Sequence, residues 1–125
     1  MNDKKLWQAF SIFIRLRDAN EDGMCTCITC GRMNHWKKMD CGHGIGRQHW
    51  ATRYNEKNNH AQCKPCNGFE GGKREVYKIE VDKRYGAGTW DKMELLSRVV
   101  TKKPSQFEID TLRNHYLELV KKMKA

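Results

Sequence analysis

The 125-residue chain lacks what would send it into or across a membrane. No apolar run approaches the ~18 residues needed to span a bilayer. The N-terminal MNDKKLWQAF has neither the apolar stretch nor the small-residue cleavage site of a secretory signal, so a non-exported, cytoplasmic protein is expected. Apolar residues are also scarce, at 38% against 31% charged. A core can be built, but a modest one, and something besides apolar burial is expected to help hold it. There is no internal repeat and no low-complexity tract, and the length suits a single domain over residues 1–125. Acidic residues are outnumbered, 15 against 24 Lys and Arg, which leaves a formal charge of +9 and suits a polyanionic partner.

Cysteine is not scarce. Four of the six form two CxxC pairs, Cys27/Cys30 and Cys63/Cys66, with 32 residues between them. In a chain without secretory features this reads as metal rather than disulfide, and the spacing suits a tetrahedral four-thiolate zinc joining two knuckles. Cys25 and Cys41 are left over. Either could displace one of the four, since CTCITC offers three thiolates within six residues, but the expectation is that both serve as small buried hydrophobes.

Residues 5–19 place Leu6, Phe10, Phe13 and Ile14 at helical spacing, with Asn20 to Gly23 as a stop. From Met24 to Gly72 no helical period holds, and short strands are expected on either side of His43. In residues 73–85 Tyr77, Ile79 and Val81 alternate as in a strand, while Val76, Ile79 and Lys83 form a helix face that Gly86 would terminate, and a helix is expected. Residues 90–100 put Met93, Leu96 and Val100 on a second face. Ser105 and Glu108 form a capping box that opens a last helix ending near Lys124. In it Ile109, Leu112, Tyr116, Leu119 and Met123 make a seam about two heptads long, expected to pack on the helix at 90–100 or to meet a second copy of the chain. The organisation is then α+β: an N-terminal helical segment over 1–23, a zinc core over 24–86 and C-terminal helices over 87–125.

Between and beside the CxxC pairs lie Asp40-Cys-Gly-His43, Asn58-Asn59-His60 and Asn67. A carboxylate, an imidazole and carboxamides around a zinc knuckle can supply a hard oxygen site for Mg²⁺ with a nitrogen base beside it. A zinc whose four positions are all thiolates has none open for substrate and is structural.

At these residues a resemblance becomes specific. CITC, DCGHGIGRQHW, TRYNEKNNHAQCKPCNGFEGG and VYKIEVDKRYG resemble the NinG/Rap recombination endonucleases of lambdoid phages, over roughly residues 25–90. That family belongs to the HNH, or ββα-metal, nucleases, similar to phage endonuclease VII. The resemblance implies Mg²⁺- or Mn²⁺-dependent cleavage of branched DNA such as D-loops and Holliday junctions. It also implies a phage gene product working in the bacterial cytoplasm beside phage or host recombination proteins. Carried over by position, His43 becomes the general base, Asn58 the residue that braces the hairpin and orients the base, and Asn67 a ligand of the catalytic cation. Asp40 becomes the other ligand, although in many HNH enzymes the acidic ligand directly precedes the base. Residues 40 and 43 of a regular strand point to opposite faces, so a bulge or turn at Gly42 is expected to bring them together. Glu56 and His60 are the reserve candidates for the metal site.

Arg47, His49, Arg53, Lys57, Lys64, Lys73 and Arg74 lie close to these positions in sequence and are the candidate phosphate contacts. Trp36, Trp50 and Tyr54 could stack on an unpaired base, with packing the favoured role for both tryptophans. Paired incision of a junction needs two sites, and one chain carries one, so a homodimer is expected. The rival is a non-catalytic zinc module that binds nucleic acid, which leaves His43, Asn58 and Asn67 together without a purpose.

Overall fold

The computed structural model describes residues 2–124. A 15-residue helix α1 (Lys4–Asp18) is followed by strands β1 (Met24–Thr26) and β2 (Met33–His35). A 3₁₀ turn (Trp36–Lys38) leads into β3 (Asp40–His43), the short helix α2 (Trp50–Arg53) and β4 (Asn59–Gln62). Four helices finish the chain: α3 (Lys64–Asn67), α4 (Arg74–Tyr85), α5 (Thr89–Val99) and α6 (Gln106–Lys124). The strands form two antiparallel hairpins, β1 with β2 and β3 with β4. The protein is thus mixed α+β with small sheets.

The β3–β4 register is unbroken, Asp40 opposite Gln62, Cys41 opposite Ala61, Gly42 opposite His60 and His43 opposite Asn59. No bulge interrupts it, contrary to what bringing Asp40 and His43 together was expected to need. α1 docks along β4 through its C-terminal end, where Asp18 accepts from the Ala61 N–H at 2.8 Å and Arg17 donates to the carbonyls of Asn59 and Glu56.

A chain this polar divides its apolar side chains among three small clusters. Leu6, Phe10, Phe13 and Ile14 meet Ile109, Tyr116 and Val120 between α1 and α6. Met39 and Ala61 surround the thiols. Ile28 and Ile45 join Tyr77, Val81, Trp90 and Met93 beneath the hairpin.

Two helix faces differ from those read in the sequence. In α4 the buried residues are Tyr77 and Val81, while Val76 and Ile79 face out. In α5 they are Trp90, Met93 and Ser97, while Leu96 and Val100 are exposed. The reason is size: Tyr77 and Trp90 together fill the space beneath the turn after β3, and burying large rings outweighs a tidier aliphatic stripe. The α6 seam does pack within the chain, but on α1 rather than α5. Ile109 and Tyr116 are buried, Leu112 and Leu119 partly so, and Met123 is exposed. The capping box forms as read, Ser105 N–H to Glu108 and Glu108 N–H to the Ser105 hydroxyl, both at 3.1 Å.

Candidate active site and metal centre

Two turns that follow short strands bring the cysteines together. The Sγ atoms of Cys27, Cys30, Cys63 and Cys66 all lie within 4.8 Å of one another. A zinc ion with four sulfurs at ~2.3 Å in tetrahedral array needs sulfurs just under 4 Å apart, so the cluster has the size and chemistry to hold zinc. The Cys30 and Cys63 sulfurs are 3.6 Å apart. Cys27 is prepared as a thiolate: burial alone would raise its pKa, but the Thr29 hydroxyl and the N–H groups of Cys63 and Cys30 outweigh that and bring it to about 6. The leftover thiols stay out of this cluster. Cys25 donates to the Arg15 carbonyl, and burial raises it to about 11. Cys41 turns toward Asn59 between the sheet and α1, pushed up by burial to about 12.

The β3–β4 hairpin leaves the thiol cluster and carries the second constellation. Since β3 pairs only with β4, its other edge is free. Along it runs a cleft of about 380 Å³ whose lining includes Asp40, His43 and Asn67. Both Asp40 and His43 line this cleft although the strand between them is regular. At its α3 end, Asp40 accepts from Lys64 Nζ at 2.6 Å and from Asn67 Nδ2 at 3.1 Å. Asn67 follows Cys66 directly, so the knuckle that positions the thiols also positions this carboxamide.

His43 stands further along the same edge. The Trp7 ring stacks on it with centroids 4.7 Å apart and planes 15° apart, and Arg47 lies over the Trp7 ring at 5.2 Å. The His43 Nε2 is buried without a hydrogen-bond partner among the described residues. Burial first, then the guanidinium groups of Arg47 and Arg53, push its pKa down to about 4. A neutral imidazole keeps one ring nitrogen as an acceptor, and no described residue engages Nε2.

Asn58 is fully buried beside the turn after β3. Its Nδ2 donates to the carbonyls of Ile45 and Thr52 at 3.0 and 3.1 Å, and its Oδ1 accepts from the Ile45 N–H at 2.7 Å. These bonds pin the turn that leaves His43. Gly44 in that turn has no room for a side chain, since a Cβ would sit 2.5 Å from Trp90 and 2.9 Å from Tyr77. Asn59 does similar work, donating to the carbonyls of Arg53 and Asn55.

The other sequence candidates are scattered. His60 is fully buried on the far face, between the hydroxyls of Tyr77 at 3.1 Å and Tyr85 at 2.7 Å, and burial lowers its pKa to about 3. Glu56 accepts from the Tyr116 hydroxyl at 2.9 Å. Neither lines the cleft. Of the basic residues, Arg47 and Lys64 line it. Arg53 is bound to Asp3 at 2.9 Å and stacks on Trp50, so its role in the structure is to tie α2 to the N-terminal segment. His49 precedes α2, Lys57 lies over Tyr85, Lys73 pairs with Glu70 and Arg74 lies over Trp90. The sequence reading missed Trp7, Ser11, Arg15 and Lys37, which complete the cleft wall. Trp7 packs at the margin of the apolar stripe of α1 and Arg15 lies off it, and an indole beside a basic flank was the available signal.

The fold and site together define a small α+β protein with a four-cysteine cluster able to hold zinc and an adjoining polar cleft. The family described as Bacteriophage Lambda NinG protein matches residues 2–125, and the chain belongs to that family. It is 35% identical over 92 residues to protein ninG of Escherichia phage lambda, and 33% identical over 92 residues to that of Salmonella phage P22. In both, the match covers 73% of this chain and 43% of the relative, so the chain spans less than half the length of these curated relatives. No solved structure matches. No helix among the described residues is long and apolar enough to cross a membrane.

Proposed function

We propose that the chain is a zinc-stapled HNH, or ββα-metal, endonuclease domain that hydrolyses phosphodiesters in branched DNA. The hairpin β3–β4 followed by α3 supplies the ββα element. The observation that carries the reading is a desolvated His43, its Nε2 unused, in the same cleft as the Asp40–Asn67 pair.

In this reading His43 takes the proton from a water that attacks phosphorus in line, and Asn58 keeps the turn beneath it rigid. Lys64 and Arg47 meet the non-bridging phosphate oxygens. Mg²⁺ or Mn²⁺ held by oxygens of Asp40 and Asn67 would stabilise charge on the phosphate and the leaving 3′ oxygen. The donor set suits such a hard cation: the Asp40 carboxylate is bound to an exposed Lys64 that can swing away, and Asn67 uses only its nitrogen toward Asp40. Two copies acting together would give the paired cuts that resolve a four-way junction, with phage or host recombination proteins as further partners.

Incubation of the purified protein with plasmid and with a four-way junction, in Mg²⁺ or in EDTA, tests this. Mg²⁺-dependent cleavage of the junction that His43→Ala abolishes is the expected result. Binding without cleavage by the wild type would favour a non-catalytic zinc module instead.

A further inference from the structure

Three cations gather around one indole at the margin of the cleft. The Arg15 guanidinium lies 5.4 Å from the Trp36 ring centroid, Lys37 Nζ 5.7 Å and Lys124 Nζ 5.8 Å. They come from three distant segments: α1, the 3₁₀ turn before β3 and the last turn of α6. Among the described residues none of the three forms an ion pair with a carboxylate. An indole face attracts one cation at an exposed site by ~0.5–1 kcal/mol. Three like charges brought to one indole without a carboxylate among them make a local positive field that favours an anionic partner.

Arg15 is also held in place. Its Nε donates to the Ser11 carbonyl at 3.1 Å and its Nη1 to the Trp36 carbonyl at 3.2 Å, which fixes the guanidinium plane and leaves Nη2 for an incoming acceptor. Arg15 and Lys37 line the same cleft as His43 and Lys64. A small anion could occupy one end of that cleft, whereas a phosphate chain can reach both ends.

We propose that Arg15, Lys37 and Lys124, arranged on Trp36, form a second phosphate-binding station that grips the sugar-phosphate backbone away from the scissile bond. The proposal rests on the nucleic-acid-substrate reading above and adds where the flanking strand runs: from His43 along the β3 edge, past the 3₁₀ turn, to the C-terminal end of α6. None of the basic positions read from the sequence belongs to this station.

The test is the salt dependence of junction binding in EDTA, where no cleavage occurs, followed by fluorescence anisotropy on a labelled four-way junction. Lys37→Ala/Lys124→Ala is compared with Lys83→Ala/Lys92→Ala, which removes the same charge from exposed sites on α4 and α5. Each lost phosphate contact lowers the slope of log K against log [salt] by about 0.9. The first pair is expected to reduce the slope by about 2 and the affinity at least tenfold at 0.1 M salt, and the control pair by clearly less. Equal losses from the two pairs, with both variants folded by circular dichroism, would overturn the station. Wild-type binding without cleavage in Mg²⁺, but with the expected loss in the first pair, would overturn the nuclease reading and support the station.

Discussion

Trp7 covers the face of His43, 4.7 Å away and nearly parallel. A helix residue from the start of the chain thus determines how dry a strand residue is 36 positions later, and dryness leads the causes that keep this imidazole neutral. The arrangement keeps the ring neutral over a wider pH range than a solvated histidine, whose pKa is ~6.5.

The first prediction follows from that stacking. In an NMR titration the His43 ring should stay neutral down to pH of about 4. Trp7→Ala, which admits water, should move the midpoint up toward 6.5, and the acid limb of cleavage should move with it. A wild-type midpoint near 6.5 would show that Trp7 does not desolvate the ring.

Acid stability gives the second. His43 and His60 titrate near 4 and 3 in the folded chain and at ~6.5 when unfolded. Above 6.5 both states are neutral and nothing is lost. As pH falls below 6.5 only the unfolded chain takes up protons, so stability falls, by up to about 1.4 kcal/mol per pH unit for each histidine until its folded pKa is reached. Urea denaturation at pH 7 and 5 should show the loss, and His60→Gln should shrink the difference between the two.

A third concerns the thiols. One zinc per chain should copurify, and Cys63→Ser should lose it along with much of the structure, since binding free energy at such a site is folding free energy. Elemental analysis of a folded, active sample without zinc would contradict this. Two zinc ions per chain would mean that Cys25 or Cys41 also binds metal.

Asn58→Ala removes three buried hydrogen bonds and leaves the Ile45 N–H and carbonyl unpaired, while the Thr52 carbonyl keeps the Asn55 N–H. Since each such orphan costs ~1–3 kcal/mol, a loss of several kcal/mol is expected by chemical denaturation. A loss below 1 kcal/mol would mean the turn is held by other contacts.

The last prediction concerns the α6 seam. Ile109 is 1% exposed against α1, so Ile109→Ala should cost ~2–5 kcal/mol of stability and leave the sedimentation-equilibrium mass, with or without junction DNA, unchanged. If that variant alone converts a dimer to a monomer, the seam is an intermolecular contact after all.

Much of this was legible in the sequence, and the misses share a cause. The CxxC pairs, the capping box and the α1 stripe rest on local spacing, and each appears where the spacing put it. The faces of α4 and α5 were missed because aliphatic periodicity gave too little weight to Tyr77 and Trp90, whose partner is the Gly44 turn, more than 30 residues upstream. The bulge expected at Gly42 was unnecessary, since Asp40 and His43 line one cleft while the register stays unbroken, and the α1 and α3 residues that complete that cleft are not local in sequence. Arg15, Lys37 and Lys124 could not be grouped from sequence, since only the packing of α6 on α1 joins them.

That packing of the two terminal helices also sets an order of events during synthesis. α1 emerges first, but its apolar face finds Ile109, Tyr116 and Val120 only when α6 has been made, and Ile109 follows Tyr54, a partner of Asp3, by 55 residues. At ~5–20 residues per second, translation of the intervening chain takes several seconds or more. Until then α1 is held by its bonds to β4 and by the ties of Asp3 to Arg53 and Tyr54 alone, and Lys124 has not yet met Trp36. A nascent chain is therefore expected to be able to fill its knuckle with zinc before α6 closes over the apolar face of α1.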